Sequence, residues 1–237
     1  MTIIRAALAP LLALLLTGCL LVPGQFEAEM TIAADGAFDF AYRGEVRIGG
    51  DENRGAVAPS GDGGARGDAP ESGSVDPQFE EAVAAFMGGL NPNNEETVVA
   101  FAERLEARRG WNSVDYRGEG LFDVDFATSG TLDRDFLFPV VPDFILNFPM
   151  VAAVPRDDGT VRITILALMP EPNDDGQAEP GPIETIGNGT FTLVTTAPIV
   201  STNGTVSEGD NAGEMIIRWS SDDPPGERPE AIIQLER

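Results

Sequence analysis

A strand that buries one face must alternate apolar and polar residues, and this chain does so over long stretches. Phe26, Ala28, Met30 and Ile32 are interleaved with Glu27, Glu29 and Thr31. Asp35-Gly36 then supplies hairpin-turn chemistry, and Phe38, Phe40, Tyr42, Val46 and Ile48 keep one parity beyond it. An opening β-hairpin follows from this pattern. Between Gly49 and Val75 the pattern lapses into Gly, Asp, Ala, Ser and Pro, which reads as a flexible insertion at about 49–76. Its Arg66-Gly67-Asp68 tripeptide is a chance match in a stretch rich in those residues.

The period then changes. Asp76-Pro77 reads as an N-cap and first helical residue, and Phe79, Val83, Phe86, Met87 and Leu90 follow helical spacing up to the stop at Gly88-Gly89 and Pro92. A second helix is signalled by Asn94 as cap and by Glu95 and Glu96 at its positive end. Arg108-Arg109 suit its negative end, with Gly110 as the C′ residue. Its apolar stripe is Val98, Phe101, Ala102 and Leu105.

Everything after Trp111 reads as β-structure. Val114, Tyr116, Phe122, Val124 and Phe126 share one parity, against Asp115, Arg117, Glu119, Asp123 and Asp125 on the other, with Gly118 and Gly120 marking a bulge or bend. Phe144 to Val154 and Val161 to Leu168 flank the turn Asp157-Asp158-Gly159, a second hairpin. A polar loop covers Pro170 to Pro182, and Thr190–Thr195, Glu214–Trp219 and Ala231–Leu235 give three more strands. The order β-β-α-α-β-β-β-β-β implies an α+β fold, an antiparallel β-sheet with two helices packed on one face.

The amino terminus carries a different message. Met1 to Arg5 is a short segment with one positive charge, and Ala6 to Leu16 is an apolar stretch of signal-peptide length. Leu16-Thr17-Gly18-Cys19 then resembles the bacterial lipobox. That resemblance implies a lipoprotein signal peptide at 1–18, cleavage before Cys19, and acylation of Cys19, palmitate included. Residues 19–237 would form a single α+β extracytoplasmic domain. Each buried methylene of the anchor contributes ~0.8 kcal/mol, so two or three chains make a stable tether. Residue 20 is Leu, where Asp would retain a lipoprotein in the inner membrane of enterobacteria, so the cell envelope facing the periplasm, at the outer membrane, is the expected location.

Composition removes whole classes of chemistry. There is no His and no Lys, so Ser-His-Asp and Cys-His catalysis, His-ligated zinc, Schiff bases and the phosphate-loop lysine are all excluded. The single Cys is taken by the anchor, leaving no intrachain disulfide. A net charge of −24 argues against nucleic acid and against electrostatic docking on anionic lipid.

Carboxylates are the catalytic candidates that remain. Asp123 and Asp125, with Asp133 and Asp135 behind them, could serve a glycosidase only at the separations such pairs require. Parity instead puts Asp123 and Asp125 on a solvated strand face. Asp157-Asp158-Gly159 and Asn173-Asp174-Asp175-Gly176 lack the spacing of a calcium loop and read as turns. Asn188-Gly189-Thr190 and Asn203-Gly204-Thr205 read as Asn-Gly turns. No cofactor and no metal site is expected.

Several segments carry a family resemblance. They are Cys19-Leu20-Leu21-Val22-Pro23-Gly24-Gln25-Phe26, Tyr42-Arg43-Gly44-Glu45, Tyr116-Arg117-Gly118-Glu119-Gly120-Leu121-Phe122, Leu132-Asp133-Arg134-Asp135-Phe136 and Pro198 to Gly204 before a strand ending in Trp219. Together they look like a group of uncharacterised alphaproteobacterial lipoproteins. More distantly, the lipidated Cys, early hairpin and late Asn-Gly before a Trp strand are similar to mycobacterial LppM-type lipoproteins. That likeness implies an α+β domain associated with envelope lipid, although this chain ends in a polar strand, Ala231 to Arg237, and not in a hydrophobic helix. The expected function is a non-enzymatic, membrane-anchored module for an envelope lipid or a partner protein. The alternatives are a carboxylate-based hydrolase of envelope glycans or a purely structural accessory.

Overall fold

The computed structural model describes residues 21–48, 88–91, 94–141, 149–168, 186–223 and 227–236. Cys19 and the segment 1–18, the insertion at 49–76, Asn173 to Gly176 and the loop from Pro170 to Pro182 lie outside the described residues.

The opening hairpin forms as the alternation requires. Strands β1 (Leu21–Ile32) and β2 (Ala37–Ile48) pair antiparallel, from Ile32 opposite Phe38 to Leu21 opposite Ile48. At the turn Gly36 takes φ +86°, and the Asp35 carboxylate accepts the Ala37 N–H at 3.0 Å. The register shifts between Pro23 and Phe26, opposite Gly44. There the chain needs glycine: a Cβ on Gly44 would lie 2.3 Å from the Gln25 carbonyl oxygen.

Helix α1 (Glu95–Glu106) also follows its signals. The Asn94 side chain accepts from the N–H groups of Glu96 and Thr97, and Val98, Phe101, Ala102 and Leu105 are buried. It is the single α-helix among the described residues, so two helices on one face is corrected to one helix in a largely β fold. Of the helix expected from Asp76 to Leu90, most lies outside the described residues. Its end is a turn in which Gly88 and Gly89 have positive φ and Leu90 is fully buried.

Among the described residues the strands form two sheets, where the sequence pattern implied one. β3 (Trp111–Gly118), β4 (Leu121–Thr131), β8 (Asn188–Thr195), β10 (Thr205–Glu208) and β11 (Met215–Ser220) join the hairpin in a seven-stranded sheet, order β10-β11-β8-β1-β2-β4-β3. β5 (Phe136–Phe138), β6 (Val151–Pro155), β7 (Thr160–Ile165), β9 (Ile199–Thr202) and β12 (Glu230–Gln234) form a five-stranded sheet, order β5-β6-β7-β12-β9. The larger sheet is mixed, because β8 runs parallel to β1, with Gln25 opposite Asn188 and Ile32 opposite Thr195. The chain passes through β5, β6 and β7 before returning to the centre of the first sheet, and such a crossover permits parallel pairing. Asn188-Gly189 therefore opens strand β8 and is not a turn.

Both inner faces contribute to one core. Phe138 of β5 sits at its centre, with ring centroids 4.8 Å from Phe126, 4.9 Å from Tyr42, 5.0 Å from Phe40 and 6.1 Å from Trp111. Phe26 stacks on Tyr42 at 5.6 Å, and α1 covers the β3–β4 side through Phe101 against Phe122. The buried polar Thr195 is satisfied: its hydroxyl donates to the Ile32 carbonyl and accepts the Ala197 N–H.

Phe138→Ala is expected to destabilise the domain by ~3–5 kcal/mol, because the vacated ring leaves a cavity among rigid aromatic neighbours. Leu137→Ala, one residue away and 38% exposed, is expected to cost much less. Urea unfolding of both variants measures the contrast.

Candidate functional site

The parity of β4 places its acidic pair on the open face of the large sheet. Phe122 and Val124 are buried, while Asp123 and Asp125 point the other way and are half-exposed. Each carboxylate is taken by an arginine from a different flanking strand. Arg43 of β2 stands opposite Asp125 in register, with Nε 3.1 Å from Oδ2. Arg117 of β3 reaches Asp123, with Nε 2.6 Å from Oδ2. Asn112 adds a hydrogen bond to Asp125 Oδ1 at 2.8 Å.

Hydrogen bonds from Asn112 and Arg43 hold the Asp125 carboxyl below its ordinary range. A general acid at neutral pH needs the opposite shift. The sequence carried a sign of this pairing: Tyr-Arg-Gly-Glu occurs at Tyr42–Glu45 and again at Tyr116–Glu119, on the two strands that flank β4.

The other carboxylate candidates do not join this pair. Asp133 follows β4 and lies ten residues beyond Asp123, roughly 30 Å along the strand direction. It is exposed and pairs with the neighbouring Arg134 at 3.4 Å. Asp158 sits in the β6–β7 turn and accepts both the N–H and the hydroxyl of Thr160, at 2.9 and 2.6 Å. Those two hydrogen bonds hold its carboxyl below the ordinary range and show turn chemistry at work. Among the described residues no group of three or more His, Cys, Asp or Glu is placed to hold a metal ion.

The open face does contain a shallow depression of about 450 Å³, and the sequence reading did not identify it. Glu29 and Thr31 of β1, Asp39 of β2, Ser129 of β4 and Arg109 line it. Arg109 reads from sequence as a charge for the helix C-terminus. The Gly110 carbonyl accepts the Ala127 N–H at 2.8 Å, and this bond brings the α1–β3 turn beside β4. With Thr128 also in its lining, the depression presents one guanidinium, two carboxylates and three hydroxyl residues.

Asn203-Gly204 performs a structural task. The Asn203 side chain accepts from Trp219 Nε1 and from the Glu230 N–H, both at 2.9 Å, and donates to the Arg228 carbonyl at 2.8 Å. It locks the β9–β10 corner, where the chain leaves one sheet and enters the other, onto β11 and β12. A Cβ on Gly204 would lie 2.6 Å from the Trp219 ring, so the close approach requires glycine.

No family model matches the chain, and no curated protein matches it. A solved structure does: the folded domain of LppM from Mycobacterium tuberculosis, determined by NMR, at 14% identity and a TM-score of 0.31, with 93% of each chain covered. A likeness of that degree transfers neither ligand nor partner to this protein.

Asp125→Asn tests the electrostatics of the face. A carboxylate whose folded pKa is depressed contributes stability above its unfolded pKa of about 3.9, and that contribution disappears as pH falls through the folded pKa. Because the pair is exposed, its contribution should stay below ~1 kcal/mol. The variant should melt slightly below wild type at neutral pH, and the gap should close in acid. Thermal scans of both proteins across acidic and neutral pH check this.

Proposed function

We propose that the protein is a membrane-anchored envelope lipoprotein whose domain is a non-enzymatic interaction module, with a partner protein as its ligand. The observation that carries this reading is the contrast between interior and surface. Aromatic rings fill the space between the sheets around Phe138, where a lipid carrier would need a deep apolar cavity. The open face offers a depression of mixed polarity, with Arg109 among carboxylates and hydroxyls beside Ala41 and Ala127, which suits a protein contact. The carboxylates of the Asp-Val-Asp pair are engaged by arginines, which suits a binding surface better than acid–base work. The anchor itself rests on Leu16-Thr17-Gly18-Cys19 and the apolar segment before it. Attachment through acyl chains on Cys19, on the periplasmic side and at the outer membrane, completes the reading.

Two measurements test it in living cells. Alkyne fatty-acid labelling should mark the wild-type protein and fail on Cys19→Ser, because no other thiol exists. A photocrosslinking amino acid at Ser129, in the depression, should give one discrete protein adduct, and the same residue at the exposed Glu227 should give none. Undiminished label on the serine variant would remove the lipoprotein. Absence of any Ser129-specific adduct would remove the interaction site.

A further inference from the structure

Strand pairing begins almost at the anchor. Leu21 already stands opposite Ile48, and Cys19 precedes it by two residues. Whatever the backbone does between them, the Cα atoms of residues 19 and 21 are no more than ~7 Å apart. A lipoprotein with a long flexible spacer can hold its domain at any height, but a two-residue connection keeps the Leu21 end of the sheet at the level of the lipidated residue. Resting on the lipoprotein reading above, we propose that the domain stands end-on against the bilayer that holds its acyl chains. The end bearing Leu21, Ile48 and the β3–β4 turn then lies at the lipid surface, and the β1–β2 hairpin points away from it.

The residues at that end are defined by the sheet register. Arg47 stands opposite Leu121, the Ile48 N–H donates to the Gly120 carbonyl at 2.8 Å, and Glu119 lies in the turn beside them. Leu21 and Val22 are half-buried there. Arg47 and Arg117 accompany Glu119, so this end carries cations as well as carboxylates despite the net charge of −24. The opposite end holds Asp35, the Asp158 turn and the chain from Leu235, held together by the Leu235 N–H on the Gly159 carbonyl and the Glu236 N–H on the Ala34 carbonyl.

β1 is 12 residues long, so the hairpin turn stands roughly 40 Å above the lipid surface. Thr31 and Asp39, which line the depression, lie roughly 30 Å above it by the same rise. A lipid still seated in the bilayer cannot reach that site. Its occupant must approach from the aqueous side, which narrows the ligand to a soluble or partner-borne group.

The test uses the full lipidated protein in phosphatidylcholine vesicles that contain brominated phospholipid. Cys19 is acylated and offers no free thiol, so one new cysteine carries an environment-sensitive fluorophore, in Glu119→Cys or in Asp35→Cys. Mass spectrometry of the same samples verifies the acyl chains. The orientation requires strong quenching at position 119 and essentially none at position 35. Equal quenching at both would mean that the domain lies on its side, and absence of quenching at 119 on acylated protein would mean that it stands clear. Either result overturns the orientation while leaving the lipoprotein reading in place. Protein recovered without acyl chains would remove that reading and the orientation together.

Discussion

Four rings from three neighbouring strands of the large sheet close on Phe138, which belongs to a three-residue strand too short to hold itself in place. β5 pairs with β6 alone, so its position over the sheet depends on that aromatic contact. Aromatic pairs add about 0.5–1.5 kcal/mol each beyond the area they bury, and several acting on one ring fix its position more firmly than burial alone. The consequence reaches function. Among the described residues the space around Phe138 between the sheets is filled by rings, which is why the proposed recognition is placed on a surface.

That surface is organised by charge without being stabilised much by it. The Arg43–Asp125 and Arg117–Asp123 pairs are exposed, and such pairs contribute at most about 1 kcal/mol. Their larger effect is on pairing. A one-residue slip of β2 against β4 would turn Arg43 inward and Tyr42 out to water. Tyr42 is fully buried, its hydroxyl donating to the Glu45 carbonyl at 2.8 Å, and burial with the nearby Glu45 charge pushes its phenol well above the ordinary range. Asn203 gives the same service through hydrogen bonds, tying the β9–β10 corner that links the two sheets to Trp219.

Long periodic segments were readable from residue order because burial on one face imposes an alternation that needs no knowledge of the partner. This holds for β1, β2, β4 and the stripe of α1. The turns at Asp35-Gly36 and Asp157-Asp158-Gly159 were readable because their side chains act locally. β5, β9 and β10, at three or four residues, are too short to show a period. The parallel β1–β8 pair joins residues more than 150 apart, and the second sheet depends on distant pairings such as β7 with β12, neither of which parity encodes. Of the depression, alternation places Glu29 and Thr31 on the solvent face, but Arg109 joins them through the Gly110–Ala127 hydrogen bond, which sequence order does not reveal. The acidic pair was rightly assigned to the outer face, while the arginines that occupy it come from strands 6 and 82 residues away in sequence.

The proposed function requires an interior closed to lipid and a binding surface outside it. The most direct measurement is titration of a fluorescent long-chain fatty acid into the soluble Cys19→Ser domain, followed by probe emission and by energy transfer from Trp111 and Trp219. A closed aromatic core predicts no saturable binding and no transfer above that of free probe. Saturation at one probe per domain, with strong transfer from the buried tryptophans, would place a lipid between the sheets and contradict the account.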